Sequence, residues 1–354
     1  MSYKILSLSQ KKEWKRYFEL LPKTQQDIYF LPEYYELYEK YGDGKAQCFV
    51  FEKNNEIALY PFLINSINEL GYELEKDYYD IQGAYGYNGV VTSSYEKDFI
   101  DAFYEEFQLF CQQNRIIAEF TRFHPIINNH KFSLNHLNTF ESRTTVAVNL
   151  TQSIEYIWQK NYTSINRNMV RKATKNGVKI KQKMLAEDYT FFYKMYFKTM
   201  SDLDAEKYLF FNEDYIKNFG KLLSQNHVLL FALLGEKIIG CLMLVFYGNY
   251  AHYHLSGRDR EYGKFAANNL LLDFAIKYTS ENGYDILHLG GGKTDSKDDS
   301  LLKFKSNFSR VNQKFYIGKR IHNTAIYTQI CEKWENENLS KVKKYKGFLL
   351  KYRY

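Results

Sequence analysis

Apolar positions recur with two spacings in the first 150 residues, and the spacing distinguishes helices from strands. A spacing of three or four residues predicts amphipathic helices over residues 10–22, 32–41 and 95–113. Short apolar or alternating runs predict strands over residues 48–64, 115–125 and 143–150. The first of these runs is interrupted by Asn54 and Asn55, which predicts a hairpin. Helices and strands are therefore interleaved in this half of the chain.

The second half shows the same interleaving. Helical spacing covers residues 153–162, 164–177, 187–200, 265–283 and 322–337. Apolar runs predict a hairpin over residues 228–248 and strands over 250–257, 285–292 and 314–320. Gly177 and Gly283 stand where a glycine commonly ends a helix.

The two halves form a faint internal repeat. In each, a hairpin is followed by a strand or loop, a long helix, and a strand that stops in an unusual loop. We predict an α/β (α+β) fold of two tandem domains, each a mixed, mostly antiparallel sheet flanked by helices. Two unrelated α/β domains are the alternative. The predicted domains are residues 1–150 plus 318–354, and residues 151–317, because the last strand and helix need a sheet to pack on.

Composition narrows the class of protein. The 354 residues are 45% hydrophobic and 25% charged, without a membrane-spanning apolar run or an evident signal peptide, so we expect a soluble, cytoplasmic protein. The four cysteines lie far apart without metal-binding spacing, which predicts buried free thiols and no metal site. The formal net charge of +7 favours anionic partners.

The element order of the second half resembles an acyltransferase domain of the GNAT type. In that family the loop before the helix reads R/Q-x-x-G-x-G/A and binds the coenzyme A pyrophosphate through helix amides. Here Arg260 and Gly263 match the pattern, which implies that they bind the cofactor. The small residue falls one place late, at Ala266, with Phe265 in its position. This departure counts against coenzyme A.

Four segments in matching order resemble the Fem-type (FemABX) peptidoglycan bridge transferases and their GNAT-like relatives from surface-polysaccharide clusters. They are YYDIQGAYGYNGVV (78–91), FTRFHP (120–125), NRNMVRKATKNGVKI (166–180), and HLGGG with LLKFKSNF (288–308). The resemblance implies tandem GNAT-like domains and transfer of an acyl or aminoacyl group to an amine on a cell-envelope precursor. It also implies that Lys305 lies at the active site, where an ammonium can hold a phosphate or the oxyanion of a tetrahedral intermediate.

Other candidates lie close to Lys305 or on the strand 250–257. In GNAT domains a bulged strand at this place exposes amides to the donor carbonyl, so His254 and Arg258 are predicted to be catalytic and Tyr253 to bind substrate. Phe304 either stacks on the donor or belongs to the core.

The end of the strand predicted over residues 285–292, which leads towards Lys305, adds three further candidates. Consecutive glycines let the backbone approach a ligand, so Gly290, Gly291 and Gly292 are predicted to line the donor site. The acidic residues that follow, at 295, 298 and 299, indicate the start of a helix rather than a metal site.

Residues of the first half are candidates for binding the acceptor. They are Asp80, Tyr85, Tyr87, Asn88, Arg122 and His124. The first four lie on a loop rich in glycine and tyrosine, which suits a sugar or a base, and the last two end a strand; a structural role is the alternative for each. Bridge-forming Fem members often carry an acidic residue soon after this loop, whereas residues 90–93 read VVTS, which disfavours a pentapeptide acceptor.

A cationic stripe marks one predicted helix of the second half. Arg167, Arg171 and Lys175 recur every four residues and therefore share one face, with Lys172 beside them. Such a stripe can bind nucleotide phosphates of an acceptor or a tRNA backbone. A solvated helix face is the alternative.

These features together predict an N-acyl or aminoacyl transferase that modifies a nucleotide- or lipid-linked glycan precursor, without a covalent enzyme intermediate. No tightly bound cofactor is expected. Acyl-CoA and aminoacyl-tRNA both remain as donor co-substrates, and DNA is not an expected partner. The basic segment from Lys341 to Tyr354 predicts peripheral contact with an anionic membrane at its inner face. The alternative is a non-catalytic module on the same fold that recognises RNA or a glycan.

Overall fold

The computed structural model describes residues 2–296 and 298–354. The chain divides into two compact units: unit 1 comprises Met1–Ser142 and Phe315–Tyr354, and unit 2 comprises Arg143–Lys314. The helices are α1 (Lys11–Leu20), α2 (Pro32–Tyr41), α3 (Lys97–Gln113), α4 (Ile154–Tyr156), α5 (Ser164–Lys175), α6 (Ala186–Asp202), α7 (Glu213–Leu222), α8 (Ala267–Glu281), α9 (Ser300–Ser306), α10 (Thr324–Glu337) and α11 (Leu339–Tyr345). The strands are β1 (Ser2–Ser7), β2 (Lys45–Lys53), β3 (Glu56–Ser66), β4 (Tyr79–Gln82), β5 (Val91–Thr92), β6 (Ile116–Arg122), β7 (Asn138–Asn149), β8 (Val178–Gln182), β9 (His227–Leu234), β10 (Lys237–Tyr247), β11 (Tyr250–Arg258), β12 (Ile286–Gly291) and β13 (Val311–Ile321).

The sheet of unit 1 is mixed and mostly antiparallel. Its strands lie in the order β1-β2-β3-β4-β6-β13, with the short β5 also paired to β3. β4 and β6 run parallel, and the other neighbours run antiparallel. The β2–β3 hairpin turns at Asn54 and Asn55, whose φ values of 53° and 65° suit a two-residue hairpin turn. The predicted hairpin is therefore confirmed.

Unit 2 contains a sheet of the same design. Its strands lie in the order β8-β9-β10-β11-β12-β7. β11 and β12 run parallel, and the other neighbours run antiparallel. The β9–β10 hairpin turns at Gly235 and Glu236, which confirms the hairpin predicted over residues 228–248.

One helix has the same role in both units. α3 lies in the chain between the parallel strands β4 and β6, and α8 lies between the parallel strands β11 and β12. Parallel neighbours require such a crossover connection. The order hairpin, strand, crossover helix, strand therefore occurs twice, which confirms the predicted tandem fold of mixed sheets flanked by helices.

The two crossover helices enter cores of different composition. α3 places phenylalanines at four-residue spacing on one face, and the rings of Phe103 and Phe107 lie 5.5 and 5.1 Å from the ring of Phe49 on β2. α8 instead contributes Leu271 and Ile276 to a core made largely of aliphatic side chains. Each unit therefore buries its own apolar face.

Residues 315–354 complete unit 1. Residues 317–321 of β13 pair with β6. Trp334 of α10 and Leu350 pack in one cluster with Ile117 of β6. A strand and a helix that could not fold alone thereby gain a sheet.

The predicted domain bounds differ from the observed unit bounds at both positions where the chain passes from one unit to the other. The sequence suggests a break after Leu150, where an apolar strand ends, but residues 145–149 of β7 pair with β12 inside unit 2. The second break falls within β13, after Lys314 rather than after residue 317. Both breaks lie inside strands, and an apolar pattern carries no signal for a break within a strand.

The prediction of buried free thiols is confirmed. Cys48, Cys111, Cys241 and Cys331 are buried and free. Burial raises the pKa of the Cys48 and Cys111 thiols, which keeps them protonated. Within residues 2–296 and 298–354, no helix has both the length and the apolar character that crossing a membrane requires.

Candidate active site

Two parallel strands of unit 2 separate along their length. β11 and β12 pair through residues 250–252 and 286–288. Beyond this point β11 continues to Arg258 and β12 to Gly291, with no further pairing between them among the described residues. Beyond residue 252, β11 is therefore not paired to β12, and this side of the strand is where a ligand could approach its main chain.

A bulge in β11 lies where the separation begins. Met243 of β10 is opposite Leu255, and the following residue, Leu244, is opposite Tyr253. His254 therefore has no counterpart on β10 and is the extra residue of a β-bulge. The bulged strand that the resemblance implies is present.

Helix α9 holds Lys305 beside the end of β12. The Asp299 carboxylate caps this helix and accepts hydrogen bonds at 2.9 Å from the amides of Leu301 and Leu302. It also accepts hydrogen bonds from the amides of Lys293 and Thr294. Burial acts to raise the pKa of Asp299, but hydrogen bonds from these amides lower it overall. One carboxylate thus fixes both the loop and the helix, and the predicted helix start is confirmed.

The Lys305 ammonium lies between the separated strands. The residue is 6% exposed, and its Nζ donates a 2.7 Å hydrogen bond to the Gly291 carbonyl at the end of β12. The same Nζ lies 5.4 Å from the centre of the Tyr253 ring on β11. Burial lowers the pKa of Lys305 to about 7, although the Asp299 charge acts in the opposite direction. At neutral pH the amine is therefore present in both charged and neutral forms.

The three glycines at the end of β12 make room for neighbouring groups of the protein. Gly290 has a φ of +76°, and a Cβ there would lie 3.2 Å from the Lys305 Nζ. A Cβ on Gly291 would lie 2.9 Å from the Thr144 carbonyl oxygen. A Cβ on Gly292 would lie 2.5 Å from an Asp299 carboxylate oxygen. Internal packing accounts for all three, and contact of their backbone with a donor stays a prediction.

The side chains predicted to lie near the donor carbonyl are only partly brought together. Tyr253 lies beside Lys305, and its hydroxyl donates a hydrogen bond to Ser256. The His254 ring packs 5.4 Å from the Phe219 ring of α7. Burial and two neighbouring histidines lower the pKa of His254 to about 3, so it is neutral at physiological pH and a weak base. Phe304 packs against the core of unit 2, which favours the core role among its two predicted roles.

The predicted pyrophosphate loop leads into α8. Residues Arg260–Phe265 form a 3-10 helix, and Ala266 then adopts a left-handed conformation with φ 55° before the helix begins. The Arg260 guanidinium donates a hydrogen bond to the Asp202 main-chain oxygen of α6, so it serves the protein structure. Arg258 is exposed, while its main chain is bonded to the Thr199 hydroxyl of the same helix. A side chain on Gly263 would meet open space.

The residues of the cationic stripe on α5 differ in whether the protein itself binds their charged groups. Arg167 donates hydrogen bonds to the carbonyls of Trp158 and Tyr162, at 3.2 and 2.5 Å, and so caps the end of the preceding helical turn. The Arg171 guanidinium lies 5.5 Å from the Trp158 ring. Arg171, Lys172 and Lys175 are exposed. The predicted phosphate-binding role is therefore open to these three residues, whereas Arg167 is occupied.

In unit 1 the loop after β4 is tied to β6. Arg122 donates hydrogen bonds at 3.0 Å to the carbonyls of Gly83 and Ala84. The Asn88 side chain accepts a 2.8 Å hydrogen bond from the Arg122 amide. Asn129 donates to the main-chain carbonyl of Asn88 at 3.0 Å. Arg122 and Asn88 therefore hold the loop, which is a structural role for two residues predicted to bind the acceptor.

The other candidates of unit 1 are also engaged within the protein. Asp80 is fully buried and bonded to Tyr352 and Arg353. His124 is fully buried, and its Nδ1 accepts hydrogen bonds from two backbone amides at 3.2 Å. The Tyr87 ring packs 5.2 Å from the His124 ring, and the Tyr85 carbonyl accepts a hydrogen bond from Tyr34. The structure gives these residues structural roles, and acceptor binding by any of them stays a prediction.

Sequence reasoning missed one residue that shapes the loop of the site. Arg143 donates weak hydrogen bonds of 3.4 Å to the carbonyls of Gly292 and Lys293, across 149 and 150 positions of sequence. Nothing in the local pattern around Arg143 marks this contact, since it lies at the start of a predicted strand. Its partner becomes visible only when β7 and β12 pair.

Comparison with known sequences assigns a class to this part of the chain. Residues 160–298 match the family model described as an acetyltransferase (GNAT) domain. The comparison with curated proteins finds no match. The matched residues include the separated strands β11 and β12 and the loop before α8. The protein is an acyltransferase by this domain, as the sequence predicts.

Solved structures share the fold over nearly the full chain. A crystal structure of FemX covers 93% of this chain and 100% of its own, with a TM-score of 0.71 and 14% identity. The C-terminal domain of a putative lysylphosphatidylglycerol synthetase from Agrobacterium fabrum covers 90% of this chain and 94% of its own, with a TM-score of 0.57 and 12% identity. L-PGS from Bacillus licheniformis gives the same coverage and identity, with a TM-score of 0.56. At these identities the likeness concerns the fold, and it confirms the predicted GNAT-like architecture.

Proposed function

We propose that this protein transfers an acyl or aminoacyl group to an amino group of a cell-envelope glycan precursor, with the reaction centred at Lys305. The observation that carries the proposal is the buried Lys305 ammonium between β11 and β12. A buried amine with a pKa near 7 is costly in a purely structural position and useful at a reacting carbonyl. The Fem-type resemblance of the surrounding segments supports the choice of reaction.

The chemistry requires few groups. The acceptor amine attacks the donor carbonyl, a C–N bond forms, and the C–S bond of a thioester or the C–O bond of an ester breaks. The nitrogen loses one proton, and the leaving sulfur or oxygen gains one. In its charged form, Lys305 would stabilise the oxyanion of the tetrahedral intermediate. Amides of β11 beyond its pairing with β12 would orient the donor carbonyl, and no covalent enzyme intermediate is needed.

Two donors fit the features of unit 2. Acyl-CoA would place its pyrophosphate at the start of α8, where Gly263 leaves open space. Aminoacyl-tRNA would place its backbone along the exposed Arg171, Lys172 and Lys175 of α5. Single-turnover assays with radiolabelled acetyl-CoA and with a mixture of aminoacylated tRNAs separate these donors, because each supplies a different label to the product.

The proposal is tested by mass spectrometry of envelope glycans from a deletion strain carrying plasmid-borne variants. We expect an N-acyl or aminoacyl substituent to be missing in the deletion strain and to return with the wild-type gene. Lys305→Ala should fail to restore it, because the oxyanion loses its cation. Lys303→Ala is the matched control, since this lysine lies on the same helix but pairs with Asp298 at the surface. Full restoration by Lys305→Ala would contradict the proposal.

A non-catalytic module that binds RNA or a glycan is the second candidate, favoured by the exposed cations of α5. In such a module Lys305→Ala would cause only a small, salt-dependent loss of binding, and the deletion strain would keep every glycan substituent. The same two measurements therefore decide between the candidates.

A further inference from the structure

Residues 339–348 of unit 1 form an exposed segment, and the residues that follow it in the chain are anchored in the core of unit 1. Leu349, Leu350 and Tyr352 are buried. The Leu349 carbonyl accepts a 2.7 Å hydrogen bond from Tyr327 of α10, and Arg353 is bonded to the buried Asp80. These contacts fix the segment on unit 1 and leave most of the side chains of 339–348 directed away from the core.

The segment carries one sign of charge. From Asn338 to Phe348 the sequence contains four lysines and neither aspartate nor glutamate. All four, Lys341, Lys343, Lys344 and Lys346, are exposed. On α10, which precedes the segment, Glu335 pairs with Lys351, and Glu332 and Glu337 are exposed. A concentrated positive surface of this kind complements an anionic partner.

Large apolar side chains stand exposed among these lysines. Leu339 is 79% exposed and Phe348 is 50% exposed. The Phe348 ring packs 5.3 Å from the Tyr345 ring and 5.6 Å from the Tyr354 ring, so the aromatic group is held in place. The lysines alone would be enough to bind a partner that offers only phosphates. The exposed leucine and phenylalanine favour a partner that also has an apolar interior.

We propose that this basic lip, defined as residues 339–348 together with Tyr354, docks on an anionic phospholipid surface. The lysines meet lipid phosphates, while Leu339 and Phe348 enter the boundary between head groups and acyl chains. Lysines flanked by aromatic and aliphatic side chains are the usual composition of such interfacial contacts. The proposal concerns unit 1 and does not depend on the reaction assigned to unit 2.

Co-sedimentation with vesicles tests the charge of the lip. We expect the full chain to bind vesicles of phosphatidylcholine mixed with phosphatidylglycerol, to bind pure phosphatidylcholine poorly, and to weaken with added salt. Each lysine near an anionic surface contributes about a fivefold factor in affinity, so Lys343→Ala/Lys344→Ala/Lys346→Ala should lose about 100-fold. The matched control is Lys12→Ala/Lys23→Ala/Lys45→Ala, which removes the same charge from exposed lysines elsewhere on unit 1. Equal losses in the two triple variants, or no loss in the lip variant, would overturn the proposal.

A second variant tests the apolar part of the lip. Leu339→Ser/Phe348→Ser keeps every charge and should lower affinity for the mixed vesicles about tenfold, because two apolar side chains no longer leave water. Circular dichroism of each variant should show unchanged folding, since the altered side chains are exposed. Two results together would contradict the membrane assignment: the double variant binds vesicles as the wild type does, and the triple lip variant loses binding to tRNA and to vesicles alike. The surface would then be a general site for polyanions.

Discussion

At the scale of single residues, the buried ammonium of Lys305 is costly for the stability of the fold, and its shifted pKa is of a kind found at functional sites. Its ammonium is buried and hydrogen-bonded to a main-chain carbonyl rather than paired with a carboxylate. Burial disfavours the charged form and lowers its pKa from 10.5 to about 7. Strongly shifted pKa values cluster at functional sites, because catalysis needs groups that exchange protons near the working pH.

The shift has a measurable effect on stability. Between pH 7 and pH 10.5 the unfolded chain holds a proton on Lys305 that the folded chain has lost, so stability due to this residue rises with pH across that window. At or below pH 7 the folded state bears the full cost of the buried charge. Lys305→Met should therefore raise the free energy of unfolding by roughly 2–4 kcal/mol near neutral pH, and the gain should shrink as the pH rises.

Urea unfolding of the wild type and Lys305→Met at several pH values between 6 and 10 measures this difference. Lys303→Met is the control, because Lys303 lies on the same helix and its side chain is exposed at the surface. A gain that is absent near pH 7, or one that grows with pH, would show that Lys305 is not buried as a charge.

Asp80 forms a buried ion pair within the protein, whereas the sequence predicts that it binds the acceptor. Its carboxylate is bonded to the Arg353 guanidinium and to the Tyr352 hydroxyl at 2.9 Å. Removing one partner of a buried pair leaves the other charge without compensation. Asp80→Asn should therefore lower the free energy of unfolding by about 3–5 kcal/mol.

Thermal and urea unfolding of Asp80→Asn, Arg353→Met and the double variant check this expectation. The double variant should lose less than the sum of the two single losses, because no charge remains unpaired. Transfer activity per folded molecule should stay unchanged. A raised KM for the acceptor with normal stability would instead support the binding role that the sequence predicts for Asp80.

At the scale of elements, the two copies of the supersecondary unit differ where the chemistry is expected. In unit 2 the parallel strands β11 and β12 part after three residue pairs, and Lys305 lies between them. In unit 1, β4 is followed by a loop that Arg122 and Asn88 fasten to β6. The same arrangement therefore ends in two separated strands in unit 2 and in a loop fastened to its neighbour in unit 1, and the proposed reaction belongs to the second copy.

Helix α5 provides an experiment at this scale. Arg167 supports the preceding turn, whereas Lys172 and Lys175 project into solvent. Arg167→Ala should lower the free energy of unfolding by roughly 1 kcal/mol, since two partly buried carbonyls lose a charged donor. Lys172→Ala/Lys175→Ala should leave stability within about 0.5 kcal/mol of the wild type.

Filter binding of tRNA over a range of salt concentrations completes this comparison. If α5 contacts a tRNA backbone, the double lysine variant should bind more weakly and with a shallower salt dependence, by about one unit of slope per lost phosphate contact. Arg167→Ala, measured below its unfolding temperature, should keep the wild-type slope. The reverse pattern would mean that Arg167 contacts phosphate and that its capping role is secondary.

At the scale of the whole molecule, unit 1 is built from two separate stretches of chain. Residues 315–354 supply β13, which pairs with β6, and α10, which packs on the same strand. A chain truncated after Lys314 should therefore leave residues 2–142 unfolded, because β6 loses a neighbour and Ile117 loses the Trp334 and Leu350 cluster. Limited proteolysis with mass spectrometry measures the effect, and protection of residues 2–142 in the truncated chain would contradict it.

Sequence reasoning reached the architecture because the relevant signals are local. The period of apolar residues located both hairpins and both crossover helices, and their repeated order predicted two sheets of one design. The candidate site was reached only in part. Lys305 and Tyr253 lie together, but His254 faces α7, and Arg260 is bonded to α6. The direction of a side chain and the identity of its partner depend on elements distant in sequence, so they cannot be predicted from the spacing of residues.

The sequence by itself determined the element order, the GNAT-like class and the position of the lysine at the end of the glycine loop, since each depends on residues close together in the chain. The tertiary structure decided which predicted residues are free to act. It joined Asp80 to Arg353 across 273 positions, occupied Arg122 and Arg167 with carbonyls, and buried the Lys305 ammonium. Burial and long-range pairing arise only when separate strands and helices come into contact. They turn a shared pattern of residues into one buried amine and many structural side chains.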